Sequence, residues 1–404
     1  MQNGTEKNSS MQEDRDPDTA HPSASSTCRH GDPGTAQTSR MDHSYALVSR
    51  GDVIKDILKG KGFSPAVIPY IYHPQRESSG AVYDLHWEKF CKFCKKNNWN
   101  PKETSPPRMC EFLLDIFLEG KAVNSIENTH SGVLSVLKHC ADYPSRAPVV
   151  SDLLTTMWRL RPRNKKTCTE WDVNHVLDSF LKSPYVNNNG DDTDIDLKHL
   201  TIKTAFLIAL ACSRRRSELH AFSRASSLLR IERNTASGET IISIRTVPGF
   251  MAKMQRGKEL YPAAIFNSVS HLTDDKRDKL LCPTATLVKY LDRTKDFENP
   301  TLKLFVNFTK NTKATAASLA CWLKAAITHA YKQSESSKHC NPHEIRAVAS
   351  SLSLMNHASV SDILEAGTWR AFTTFTTHYF RDVARGEDQL YRLPAYVAAG
   401  TVIH

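Results

Sequence analysis

Apolar residues recur at helical spacing through most of this chain, and a single stretch breaks the pattern. From Leu47 to about Arg161 the segments YDLHWEKFCKFC, PRMCEFLLDIFLEG, SGVLSVLKHC and SDLLTTMWRL each carry the i, i+3, i+4 signature of an amphipathic helix. Pro and Gly punctuation, in SPP, EGK and YPSRAP, separates them. Farther on, TEWDVNHVLDSFL and DLKHLTIKTAFLIALACS are again helical, and then the period changes. SSLLRIER, ETIISIRTV and KELYPAAIF are short, rich in branched side chains and parted by turn residues, as in a small antiparallel sheet. Helices resume at SLACWLKAAITHAYKQ and continue towards the C-terminus. A chain so patterned is expected to be mainly α with a small antiparallel β-sheet, a helical domain preceding an α+β domain.

With 404 residues the chain has room for two or three domains, at roughly 100–200 residues each. Residues 1–46 are rich in Ser, Thr, Asp, Gly and Pro without hydrophobic periodicity, so a disordered acidic and polar tail is expected there. A helical domain over 47–160, a basic linker over 161–169 and a second domain with a C-terminal tail over 170–404 complete the expected division. The tail at 1–46 holds four Lys/Arg against seven Asp/Glu, so −3, which leaves +13 of the chain's +10 net charge on the remainder. A basic body behind an acidic tail points to a polyanionic partner. The run RLRPRNKKT, residues 159–167, contributes Arg159, Arg161, Arg163, Lys165 and Lys166, which suit a solvated connector, a strap against phosphates or a nuclear import signal.

No apolar run approaches the ~18–20 residues that cross a bilayer, so no membrane partner is expected. The start MQNGTEKNSSMQEDRD is polar and acidic, unlike a secretory or transit peptide. A cytosolic or nuclear protein is expected, nuclear if the partner is DNA. Ten cysteines fit reduced thiols in that setting. Cys91 and Cys94 form one C-x-x-C, but no second ligand pair accompanies it, so buried apolar positions on a helix are expected. No pair of carboxylates at metal spacing appears, so neither a metal nor another cofactor is expected.

Four clusters stand out. In ALACSRRRSELHAF an apolar helix runs into Arg214, Arg215 and Arg216, and Arg215 shares a helix face with Glu218. In NPHEIRAVASSLS, Asn341 and Pro342 suit a helix start, which would put His343 and Arg346 a turn apart near an anion-attracting N-terminus. AGTWRAFTTFTTHYFRDV carries Trp369 and, ten residues on, Tyr379. PGFMAKMQRGKELYP places Lys253 and Lys258 between two predicted strands. Singly, each also reads as an ordinary helix end, amphipathic helix, aromatic core or basic turn.

Their order resembles the tyrosine recombinase (phage integrase) family over about residues 47–400, nearest in style to the recombinases of DIRS-type and Ngaro-type retrotransposons. The resemblance implies a helical core-binding domain and a catalytic domain that together clamp double-stranded DNA. Arg215, which precedes x-S-E-L, would be the first catalytic arginine, with Arg214 and Arg216 open as alternatives. Glu218 would support the site, Lys253 would be the hairpin lysine, His343 and Arg346 the H-x-x-R pair, and Lys258 a DNA-backbone contact. Trp369 takes the place where many relatives have histidine, and Tyr379 would be the nucleophile, one residue later than in many bacterial members.

That assignment implies a site-specific recombinase working through a 3′-phosphotyrosine, independent of metal and ATP. It would assemble as a homo-oligomer on DNA, a tetramer in relatives, and would use no small-molecule substrate. A type IB topoisomerase-like nicking and rejoining enzyme, or a host-adopted DNA-binding protein, are the competing expectations. The apolar C-terminal segment within 388–404 is expected to pack on its own domain or on a neighbouring subunit.

Overall fold

A computed structural model describes residues 49–72, 77–140, 143–144, 147–162, 171–253, 255, 261–297, 302–308, 314–332, 341 and 343–380. The expected N-terminal tail, most of the basic linker with Arg163, Lys165 and Lys166, the hairpin residue Lys258, and the C-terminal tail lie outside the described residues. The chain divides into two compact units, residues 1–164 and 165–404. It is mainly helical with one small antiparallel sheet, the fold class the patterning implies. None of the described helices is long and apolar enough to cross a membrane.

The first unit is built from α1 (Arg50–Gly60), α2 (Ile68–Ile71), α3 (Glu77–Lys96), α4 (Pro106–Leu118), α5 (Val123–Leu137) and α6 (Pro148–Leu160). Ser49 caps α1, its hydroxyl accepting the Asp52 N–H, and prolines open α4 and α6 where a missing N–H costs nothing. The apolar stripes converge on one core that includes Trp87, Phe90, Met109, Phe112, Ile126 and Val136. Cys91 and Cys94 lie in it, and burial pushes both thiols up to about 12. α3 and α5 touch at Gly132, where an added Cβ would stand 2.8 Å from His86 Cβ. Arg50, 4% exposed, is matched inside this core. Its Nε donates to Asp84 and its Nη1 to Ser135, both at 3.1 Å, while Tyr72 and Tyr83 present their rings to it.

The second unit is organised by α8 (Leu197–Cys212), which is buried on nearly every face, as its unbroken apolar run requires. α7 (Val173–Ser179), α11 (Pro283–Arg293), α12 (Ala316–Ala330) and α13 (Glu344–Met355) surround it, and the shorter α9 (Arg216–Ala221) and α10 (Lys276–Leu281) complete that layer. Buried Thr201 and Thr204 return their hydroxyls to carbonyls one turn back, at 2.7 Å each. Lys203, wholly buried, has its Nζ 3.3 Å from the Asp192 carboxylate, which Lys289 also engages.

The sheet runs β1 (Leu229–Arg233), β2 (Thr240–Ile244), β3 (Ala264–Asn267) in that order, with Ile242 opposite both Ile231 and Phe266. Ile242, Ile244, Ala264 and Phe266 face the core, while β1 forms an edge that is largely exposed and charged, as edges that resist pairing are. Two segments are shorter than expected. Among the described residues of KELYPAAIF, pairing begins at Ala264, after Pro262, which has no N–H for a ladder. Among the described residues of TEWDVNHVLDSFL, Trp171 and Asp172 precede the helix, which starts at Val173 after Asp172 caps it by accepting the Asn174 N–H.

Candidate active site

α8 ends in left-handed Ser213, φ 49°, and the chain turns sharply into α9. Arg215 is the N-cap of α9 and Glu218 its third residue, so the spacing that reads R-x-x-E in sequence becomes a capping box. The Glu218 carboxylate accepts the Arg215 N–H at 2.8 Å and the Arg215 Nη1 at 2.7 Å. Glu218 is wholly buried. Burial works to raise its carboxyl, but Arg215 and Arg346 beside it outweigh that and hold it below the usual carboxylate range.

Arg346 arrives from α13 and is 3% exposed. Its Nη1 stands 3.5 Å from Glu218 Oε2, an ion pair without hydrogen-bond geometry, and its Nη2 donates to the Gly367 carbonyl. Its Nε and Nη1 are buried without a hydrogen-bond partner among the described residues. Burial above all, then the charge of Arg215, pulls this guanidinium down to about 10, so it is still a cation at neutral pH. Its carbon lies 4.2 Å from the Trp369 ring centre and 4.9 Å from that of Tyr379.

Trp369 and Tyr379 come from the last described part of the chain, α14 (Val360–Gly367) and α15 (Phe372–His378). Left-handed Thr368, φ 52°, ends α14, and the Trp369 N–H returns to the Leu364 carbonyl at 2.9 Å. That turn lays the indole across Gly367, where an added Cβ would stand 2.0 Å from the ring. The rings of Trp369 and Tyr379 meet at 4.9 Å, and both belong to a small separate core with Ile363 and Phe375. The Trp369 indole nitrogen is buried with no partner among the described residues. Tyr379 is half-buried at the end of α15; burial works to lower the Arg215 guanidinium, and Glu218 first, then the Tyr379 phenol, raise it instead.

Arg215, Glu218, Arg346, Trp369 and Tyr379 therefore converge, though up to 164 positions apart in sequence. Lys253 does not join their contacts; it is exposed in the segment between β2 and β3. His343 stands a turn before Arg346 at the start of α13, as expected, but Asn341 is not the cap of that helix. His343 is itself the N-cap of α13 and exposed, while its N–H donates to Asn341 Oδ1 at 3.0 Å. Asn341 thus caps a turn before the helix rather than the helix, and His343 does not share the buried setting of Arg346.

Arg214, open as an alternative first arginine, is spent elsewhere: 4% exposed, it donates to the Tyr261 hydroxyl at 2.9 Å and the Ala263 carbonyl at 3.3 Å. Arg216 starts α9. Of the proposed strap, Arg159 is exposed, but Arg161 turns inward onto the end of α4. Its guanidinium donates to the Lys121 and Phe117 carbonyls and stacks 4.1 Å from the Phe117 ring, because the last carbonyls of a helix attract a cation.

Solved structures similar to this chain are site-specific recombinases and integrases. One is XerH recombinase bound to palindromic difH substrate, 15% identical, covering 81% of this chain and 80% of that one at a TM-score of 0.48. Another is a lambda integrase dimer bound to a COC' core site, 12% identical, covering 85% and 98% at 0.45. A third is the Tn1549 transposon integrase in complex with transposon right end DNA, 12% identical, covering 85% and 97% at 0.47. No family model matches the sequence, and no curated protein matches it. Likeness at this level leaves the function to be read from the side chains of the site.

Proposed function

We propose that this protein is a DNA strand transferase that cuts one strand of duplex DNA with Tyr379 and holds the broken end as a 3′-phosphotyrosine. One observation carries the reading. Two guanidiniums, the partly buried Arg215 and the buried Arg346, share a single carboxylate beside a tyrosine, and Arg346 keeps two donors unmatched. A buried, unmatched cation is costly unless an anion completes it. A phosphodiester supplies non-bridging oxygens for both planar donors, in the geometry guanidinium pairs prefer.

The phenol Oη attacks phosphorus, the P–O5′ bond breaks, and the tyrosine takes the place of the 5′ oxygen. The phenolic proton leaves to His343 or to a phosphate oxygen, and the departing 5′ oxygen takes a proton from Lys253. Charge that builds on the non-bridging oxygens meets Arg215, Arg346 and the Trp369 indole N–H. The phosphotyrosine keeps the energy of the broken bond, so attack by a 5′ hydroxyl reseals the strand without ATP. The wider reading is a site-specific recombinase of DIRS-like mobile-element origin, acting in the nucleus as a tetramer on DNA.

The test is capture of a duplex nicked just downstream of the scissile phosphate and labelled in the strand upstream of it, the part the tyrosine retains. Wild type becomes covalently labelled, and Tyr379→Phe binds the DNA but is not labelled. Full labelling of Tyr379→Phe, or none of wild type, defeats the proposal.

A further inference from the structure

The first arginine of the triplet has a job of its own. Arg214 and Arg215 are neighbours at the turn from α8 to α9, and they take different partners. Arg215 holds Glu218. Arg214 holds Tyr261 and the carbonyl of Ala263, in the chain just before β3, and its guanidinium lies 5.0 Å from the Tyr261 ring centre. Two of its nitrogens meet partners in this buried setting, a phenol and a main-chain carbonyl, while its Nε has none among the described residues.

Tyr261 has a second neighbour. Phe250 packs its ring edge-on against Tyr261, centroids 6.0 Å apart and planes at 83°. Phe250 is brought there by the turn Val247-Pro248-Gly249-Phe250, in which Gly249 takes φ 79° and the Phe250 N–H returns to the Val247 carbonyl at 3.2 Å. The Val247 N–H in turn donates to the Ala221 carbonyl, the last residue of α9, at 2.7 Å. Lys253 follows three residues after Phe250, just past buried Ala252. On its other side the Tyr261 phenol, pushed up to about 12 chiefly by burial, also feels Glu218 and Thr368, so it stays protonated beside the site.

We propose that Arg214 and Tyr261 are a positioning pair that fixes the Lys253 segment at a set distance from Arg215, so that the acid for the leaving oxygen and the clamp on the phosphate are held by adjacent residues. A single peptide unit separates the two functions, and the Arg214–Tyr261–Phe250 stack transmits it to the lysine. The pairing rests on the strand-transferase reading above. It adds two residues that touch neither phosphate nor leaving group.

The test uses the full chain and two duplex substrates that differ in one atom, the bridging 5′ oxygen or a sulfur in its place. A thiolate leaves without a strong acid, so the sulfur substrate removes the need for Lys253. Tyr261→Phe deletes one hydroxyl and keeps the ring stack. Its single-turnover cleavage of the oxygen substrate is expected to fall by roughly tenfold to a hundredfold, the usual cost of a hydrogen bond to a charged group. On the sulfur substrate it is expected to come within about threefold of wild type, less than half of a tenfold step in free energy, and Lys253→Ala is expected to show the same rescue. Arg214→Lys, which keeps charge but loses the planar fork, is expected to behave as Tyr261→Phe does.

Equal losses of Tyr261→Phe on both substrates overturn the pairing, since a merely structural defect would not distinguish the leaving atoms. So does a wild-type rate of Tyr261→Phe on the oxygen substrate. Failure of wild type to label either substrate is a different result, and it defeats the strand-transferase reading instead.

Discussion

Each unit of this protein buries an arginine to the same depth between two aromatic rings, and the two are finished differently. Arg50, in the first unit, is 4% exposed, pairs with Asp84 and Ser135, and lies against Tyr72 and Tyr83. Arg346, in the second, is 3% exposed and lies against Trp369 and Tyr379, but two of its nitrogens have no hydrogen-bond partner among the described residues. Burial alone does not separate a structural arginine from one that waits for a ligand. These two differ in completion: Arg50 is matched and holds helices together, while Arg346 keeps two donors that an anion would complete.

The sharpest way to break this contrast is Arg346→Met. Covalent capture is expected to fall by about 10²–10³, the loss typical of removing one preorganised donor to developing charge. Thermal stability is expected to change little, because the variant trades an incompletely matched charge for an apolar side chain of similar length. A thermal midpoint that drops more for Arg346→Met than for Arg50→Met would show that Arg346 is structural after all.

Next in size is Gly367→Ala. The added methyl has no room beside the Trp369 ring, 2.0 Å from where it would sit, so the indole and with it Tyr379 must shift. Cleavage is expected to fall roughly 10²-fold, as when a reacting group is misplaced by about 1 Å. Unchanged single-turnover rates would mean that the Trp369–Tyr379 contact does not set the nucleophile's position. In the other unit Arg50→Met is expected to cost about 1–3 kcal/mol of stability in chemical denaturation, through lost hydrogen bonds of a charged group, and to leave the cleavage rate per folded molecule unaltered.

The smallest effect is one of pH. Because Glu218 is held below the ordinary carboxylate range in the fold, its stabilising contribution is complete above the unfolded value of ~4.3 and is lost as pH falls through the lower folded value. Thermal midpoints followed downward from pH 5 should therefore decline more steeply for wild type than for Glu218→Gln. Parallel curves would mean that the two arginines do not share this carboxylate as an anion.

The two units also differ in what could be read in advance. In the first, amphipathic periodicity and Pro/Gly punctuation carry almost everything, since its helices bury a stripe each and local spacing reports that stripe. In the second, the apolar run of α8, the short branched strands and the order of Arg215, Glu218, Arg346, Trp369 and Tyr379 were legible, and the R-x-x-E spacing foretold a local contact because it lies within one helical turn. His343 illustrates the limit. Three residues from Arg346, it stands a turn away as expected, yet the helix begins after it and leaves it exposed. A sequence pattern gives the angle between two side chains on a helix, not where the helix starts relative to the core.

What the sequence determined by itself is therefore local: helix periods, the strand-like interruption, the nearness of Arg215 to Glu218 and a turn segment holding Lys253 between two strands. Each depends on residues within a few positions of one another, where backbone geometry leaves few options. The tertiary structure alone decided that Arg214 is clamped by Tyr261. It also decided that Arg346 lies under Trp369 with donors to spare. Those outcomes depend on which distant groups compete for the same buried donors. The competition is settled only once α8, α13 and the sheet have packed, since desolvation makes every buried polar group find a partner or keep a place for one.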